Sequence, residues 1–197
     1  MEITFTENAA WRTAISDVQV NNVSVGAGKW TTKAGKLILD PADIVALQTP
    51  GSKEITVIAT GYEDSTVTQN IATGALAESK SSVNPTHGNS PRPGTGFFMV
   101  LTAKDKYGNP LQNYQFKFDI EVNNSNSTNS ESITYYNQSY TESTSNVQPL
   151  PNRTDNNGES YISFQWGSNG DSGDSTKIVW KDKDGNEIFT PTIVSYQ

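Results

Sequence analysis

From Tyr114 to Val122 the chain alternates without a slip: Tyr114, Phe116, Phe118, Ile120 and Val122 are apolar or aromatic, while Gln115, Lys117, Asp119 and Glu121 between them are polar. A strict period of two sends the first set to one side of an extended backbone and the second to the other. This stretch is therefore a strand with one face on a core and one in water. The same extended signature recurs along the sequence, separated by turn chemistry. Val18 and Val20 lead to an Asn21-Asn22 turn and a return at Val23 and Val25. Lys29–Lys33 turns through Ala34-Gly35-Lys36 into Leu37-Ile38-Leu39, and residues 54–60 and 65–71 flank Gly61-Tyr62-Glu63-Asp64 as a hairpin. Further on come residues 97–104, 159–166, 176–181 and 187–196, with turns at 105–110, 154–158 and 182–186.

Helical signals are few and short. Thr6 can cap a helix running to Ile15, with Trp11 and Ile15 one turn apart on its apolar side. Asp40-Pro41-Ala42-Asp43 reads as a cap with proline in the first turn, so a single helical turn should carry Ile44, Val45 and Leu47 inward. Between Ala72 and Pro93 the periodicity stops and Ser, Asn, Gly and Pro accumulate, including Asn84-Pro85 and Pro91-Arg92-Pro93. The expectation is an all-β chain of two small antiparallel β-sandwich modules, the first with one or two short helices. Residues 1–71 form the first, 72–93 a linker, and 94–197 the second. Asn123–Ser132 is too polar to be buried and reads as a loop.

Composition narrows the partners. A chain of 197 residues can bury two small cores, and a hydrophobic share of 34% suits two sandwiches with much surface. The net charge is −7 and no Lys/Arg cluster exists, so neither nucleic acid nor an anionic membrane is an expected partner, and a neutral or cationic ligand fits better. Cysteine is absent, which removes disulfides, thiolate metal sites and thiol nucleophiles. Such cysteine-free modules, rich in Asn, Thr, Ser and Gly, suit a secreted or cell-surface protein of a Gram-positive bacterium. Strand-like Glu2-Ile3-Thr4-Phe5 directly follows Met1 with no leader pattern, so a piece of a larger protein is expected.

Ile3-Thr4-Phe5, the Trp11 helix, Asp17-Val18-Gln19-Val20-Asn21 and the ending Ile55-Thr56-Val57 with Ala59-Thr60-Gly61-Tyr62 resemble the haemoglobin-interacting domains of Gram-positive haem-uptake proteins. The likeness covers nearly all of residues 3–71. Similar domains also occur in multidomain surface proteins and polysaccharide-degrading enzymes, so the resemblance implies a module and leaves its ligand open. Leu101–Leu111, the Phe116/Phe118 strand and Thr154-Asp155-Asn156-Asn157-Gly158-Glu159 are similar to bacterial immunoglobulin-like domains of the invasin and intimin type. A carbohydrate-binding sandwich of like topology is the alternative.

Catalytic chemistry finds little support. His87, the sole histidine, falls in the expected linker and reads as a solvated loop residue, with no third group to orient it as a base. The 21 acidic residues lie mostly in turns and on outward faces, where nothing would raise a pKa. No enzyme activity and no cofactor are expected. Asp182-Lys183-Asp184-Gly185-Asn186-Glu187 resembles the start of a calcium loop but lacks the full ligand series, so a plain hairpin turn is favoured over a structural calcium at Asp182 and Asp184. Aromatic residues are the better signal, because sugar rings stack their C–H faces on Trp and Tyr. Tyr135, Tyr136, Tyr140, Tyr161 and Trp180 are the candidate carbohydrate contacts, with Trp30 a further ring. Trp11 and Trp30 are the candidates for a protein contact.

The sequence thus points to a monomeric, non-catalytic accessory region that binds polysaccharide through its second module. Recognition of haemoglobin or another host or cell-wall protein is the alternative, and a structural stalk the third.

Overall fold

The structure, a computed structural model, describes residues 1–85, 87–90, 96–123, 132–135, 138–141, 147–166 and 173–196. The chain divides into two compact units, Met1–Thr73 and Gly74–Gln197.

Unit 1 holds β1 (Glu2–Thr4), α1 (Ala9–Thr13), β2 (Ile15–Val20), β3 (Val23–Ser24), β4 (Trp30–Lys33), β5 (Lys36–Leu39), β6 (Gly51–Ala59) and β7 (Ser65–Ile71). Its strands make two antiparallel sheets, β3-β2-β6-β7 and β1-β5-β4. Val18 and Val20 of β2, Leu37 and Leu39 of β5, and Ile55 and Val57 of β6 meet in one core, which Trp11 and Trp30 partly cover. The β2–β3 turn has φ of 51° at Asn21 and 63° at Asn22, the left-handed pair that suits the twist of a two-residue hairpin.

Two local expectations are corrected. The helix starts at Ala9, not after Thr6: Asn8 is the cap, its Oδ1 accepting the Trp11 N–H at 3.1 Å, and Ile15 already belongs to β2. Glu7 is drawn elsewhere, accepting from Arg12 Nε at 3.1 Å and from the Gly35 N–H, and these bonds hold its carboxyl below the ordinary value. After Asp40, Val45–Leu47 form a 3₁₀ turn, whose three-residue repeat aligns Ile44 with Leu47 inside and leaves Val45 74% exposed.

Unit 2 holds β8 (Ser82–Asn84), β9 (His87–Ser90), β10 (Gly96–Thr102), β11 (Lys117–Asn123), β12 (Ser132–Tyr135), β13 (Gln138–Thr141), β14 (Gln148–Pro149), β15 (Glu159–Trp166), β16 (Ser175–Lys181) and β17 (Thr192–Tyr196). They form a sandwich of two five-stranded sheets, β13-β12-β15-β10-β8 and β14-β11-β16-β17-β9. Met99, Leu101, Ile162 and Phe164 from the first face Phe118, Ile120, Ile178 and Trp180 from the second, with the Phe118 and Phe164 rings edge to face at 5.9 Å. One pairing departs from the expected antiparallel plan, since β9 runs parallel to β17.

The expected linker is corrected as well. Residues 74–90 belong to unit 2: β8 and β9 edge its two sheets, Val83 is in its core, and the Gly74 N–H donates to Asp105 Oδ2 at 3.1 Å. His87 is therefore a strand residue by backbone, opposite Ile193. An edge strand is held through one side of its backbone, so it needs few apolar side chains and looks like a linker in sequence.

Three turns of unit 2 share one construction. Asp105, Asp155 and Asp182 each accept, through Oδ1, the N–H groups two and four residues on, at 2.8–3.0 Å, and a left-handed glycine (Gly108, Gly158, Gly185) fills the fourth position.

Candidate binding face

Among the described residues of unit 2, the exposed aromatic rings lie on the outer surface of its first sheet. In β10 the run Phe97-Phe98-Met99-Val100-Leu101 is apolar at every position, so a pleated strand must turn some of it outward. Met99 and Leu101 face the core and Phe98 faces solvent at 74% exposure. On β15, Ile162 and Phe164 are buried while Tyr161 is 57% exposed. The antiparallel register sets Val100 opposite Tyr161 and Phe98 opposite Ser163, which makes Phe98 and Tyr161 diagonal neighbours on one face. On the other side of β10, Asn84 of β8 stands opposite Val100.

Tyr161 is tethered in place. Its phenol donates to Glu159 Oε2 at 2.6 Å, and that hydrogen bond, followed by the charge of the carboxylate, pushes the phenol above its ordinary value. Glu159 lies two residues away on the same strand and hence on the same face.

The other aromatic candidates separate. Trp180 is corrected: it is 0% exposed, and its Nε1 donates to Thr192 Oγ1 at 2.9 Å inside the sandwich, so its ring is closed to any ligand. Tyr135 ends β12 and Tyr140 lies in β13, and by backbone both strands join the sheet that carries Tyr161. Tyr136 lies outside the described residues. Trp11 and Trp30 are half-buried against the core of unit 1, Trp11 edge to face on Phe5 at 5.0 Å. The exposed apolar side chains of unit 1 are instead Val23, Val45 and Tyr62. Phe98 was not among the expected contacts. Its signal was the Phe97-Phe98 pair, since adjacent residues of a strand cannot both face the core.

No group of three His, Cys, Asp or Glu side chains gathers among the described residues. Both oxygens of Asp182 are taken up within its own turn, by the N–H groups of Asp184 and Asn186 and by the Asn186 amide, and Asp184 pairs with Lys183 at 2.7 Å. Burial pushes the Asp182 carboxyl up, but these donors outweigh it and hold it below the usual range. A cavity of about 750 Å³ is lined by Glu78, Ser79, Ser82, Val83, Phe189 and Thr190. Glu78 is the one titratable side chain in that lining. No described helix is long and apolar enough to cross a membrane.

Residues 1–72 match the family model of the Hb-interacting domain of Shr-like heme-binding proteins. The matched span is nearly coextensive with unit 1. No curated protein matches the chain. Among solved structures, the adhesin FdeC of Escherichia coli is similar at 16% identity and a TM-score of 0.46, over 92% of this chain and 53% of that one. Domains 4 and 5 of the S-layer protein SbsC are similar at 13% identity and a TM-score of 0.38, over 91% of this chain and 69% of that one. The chain thus spans about half the length of the adhesin.

Proposed function

We propose that this chain is a non-catalytic recognition segment of a cell-surface or secreted protein, in which unit 1 docks a protein partner such as haemoglobin. The observation that carries this is the agreement between the Hb-interacting family match at residues 1–72 and a self-contained unit ending at Thr73. Exposed Val45 and Tyr62 are the side chains offered for contact, while half-buried Trp11 and Trp30 support the fold from beneath. Unit 2 is read as an immunoglobulin-like module of the invasin and intimin kind.

Interferometry with the immobilised chain and soluble haemoglobin tests the reading. Saturable binding is expected, weakened several-fold by Val45→Glu or Tyr62→Ala at unchanged thermal stability. Absence of binding to haemoglobin removes that partner, and absence of binding to a panel of serum and cell-wall proteins leaves the stalk reading.

A second reading, carbohydrate binding by unit 2, is favoured by the exposed and tethered ring of Tyr161. It would place the segment beside the catalytic part of a polysaccharide-active protein, where a bound polymer raises local substrate concentration.

A further inference from the structure

We infer that the outer face of the sheet formed by β15, β10 and β8 is a stacking platform for a linear, uncharged polysaccharide, with Phe98 and Tyr161 as its two aromatic contacts. This rests on the carbohydrate reading of unit 2 and gives it a location and a ligand class.

Size separates the possible occupants. The exposed parts of the two rings amount to roughly 250–300 Å² of apolar surface, whereas a stable protein interface needs about 800 Å² on each partner. A patch of this size among the described side chains suits a ligand that is itself narrow. A sugar chain is such a ligand: each ring has an apolar C–H face for stacking and an equatorial rim of hydroxyls.

The surroundings fit the same class. The register sets Val100 and Ser163 at the other two corners of the square that Phe98 and Tyr161 occupy, with Asn84 beside Val100. Amide and hydroxyl groups of this kind bond sugar hydroxyls and carry no charge. The described outward positions of β8, β10 and β15 include no Lys or Arg, and their single carboxylate, Glu159, accepts from the Tyr161 phenol. An anionic polymer would find no counter-charge there. Diagonal neighbours on adjacent strands lie about 7–8 Å apart, near enough for one extended sugar chain to meet both rings. The tether from Tyr161 to Glu159 holds one ring before the ligand arrives, which reduces the ordering that binding requires.

Affinity electrophoresis of the full chain in gels containing barley β-glucan, xylan, galactomannan or hydroxyethylcellulose, with polygalacturonate as the charged control, tests the inference. At least one neutral polymer should retard the parent protein, and Tyr161→Ala and Phe98→Thr should each weaken that retardation about tenfold. Tyr161→Phe should keep most of it, and Val23→Thr in unit 1, a change at an exposed position, should migrate as the parent. Circular dichroism and thermal midpoints of all variants separate lost binding from lost fold. Retardation that survives both substitutions in unit 2 overturns the platform while leaving carbohydrate binding in place. Retardation by polygalacturonate alone overturns the ligand class, and retardation by no polymer overturns the platform and the carbohydrate reading together.

Discussion

Asp105 shows how one side chain can organise a turn and also make it sensitive to acid. Only 2% exposed, it accepts from the N–H groups of Gly74, Tyr107 and Asn109 and from the Asn109 amide, at 2.9–3.1 Å. Burial pushes its carboxyl up, but the Asn109 side chain and the three backbone donors outweigh that and leave it below the ordinary value. A carboxylate whose folded value is depressed stabilises the protein above its unfolded value of about 4. That contribution is lost as pH falls through the folded value. Urea midpoints between pH 7 and pH 2 should therefore decline on the acid side, and Asp105→Asn should flatten part of the decline while costing about 2 kcal/mol at neutral pH. The glycines of the shared turn differ in their surroundings. A Cβ at Gly158 (φ +77°) would lie 2.5 Å from the Ala103 carbonyl oxygen, whereas at Gly185 (φ +97°) it would meet nothing within 4 Å. Gly158→Ala should thus cost about 3 kcal/mol and Gly185→Ala about 1 kcal/mol, read from denaturant unfolding.

At the scale of elements, turn chemistry and strand periodicity act together. Asn21 and Asn22 both hold left-handed φ, but only Asn21 has a second task, its Oδ1 accepting the Glu54 N–H at 3.0 Å. Asn22→Gly should stabilise the β2–β3 hairpin by about 0.5 kcal/mol, while Asn21→Gly should lower the thermal midpoint because that bond is lost. In unit 2, β16 and β17 are joined by side chains as well as by their ladder, through Trp180 Nε1 and Thr192 Oγ1, both 0% exposed. Thr192→Val preserves the shape but leaves the indole N–H unpaired, and a loss of about 1–3 kcal/mol is expected in thermal or urea unfolding. Much at this scale could be read from the sequence. The alternation through Phe118, Ile120 and Val122 predicted β11 and its inner face, although the strand begins at Lys117 and leaves Tyr114–Phe116 outside it, and Asn21-Asn22 predicted the β2–β3 turn. The helix was less legible, because Thr6 and Asn8 are both good caps, and it is Asn8 whose Oδ1 accepts the Trp11 N–H in the fold.

For the whole molecule, the place where unit 2 begins is the most testable consequence. The core of unit 1 is assembled entirely from residues 1–71, so a fragment of residues 1–73 should fold alone and give a dispersed amide NMR spectrum. A fragment beginning at residue 94, the boundary suggested by composition, would lose Val83 from the core, β8 from the edge of β10 and β9 from the edge of β17. It should be less stable than residues 74–197 by about 3–5 kcal/mol and be cut sooner by protease. The candidate face has the same history. Tyr161 was expected to contact ligand and Phe98 was not, yet their exposure follows from one register between β10 and β15.

What the sequence determined by itself is local. Period-two alternation, Asn and Asp-Gly turns, and the lack of long helical patterns specify strands, their ends and an all-β class, because backbone sterics and side-chain direction act over a few residues. Where both faces of a strand carry apolar or aromatic side chains, only the tertiary structure decided which side was covered. Trp180 and Tyr161 both occur in strands with equally suitable neighbours, but Trp180 faces the opposing sheet and Tyr161 faces away from it. The parallel pairing of β9 with β17 and the absorption of residues 74–90 into unit 2 were decided in the same way. Hydrogen bonds between backbones distant in sequence leave no pattern in the side chains that make them, so polar edge strands are visible only once the sheets they complete have formed.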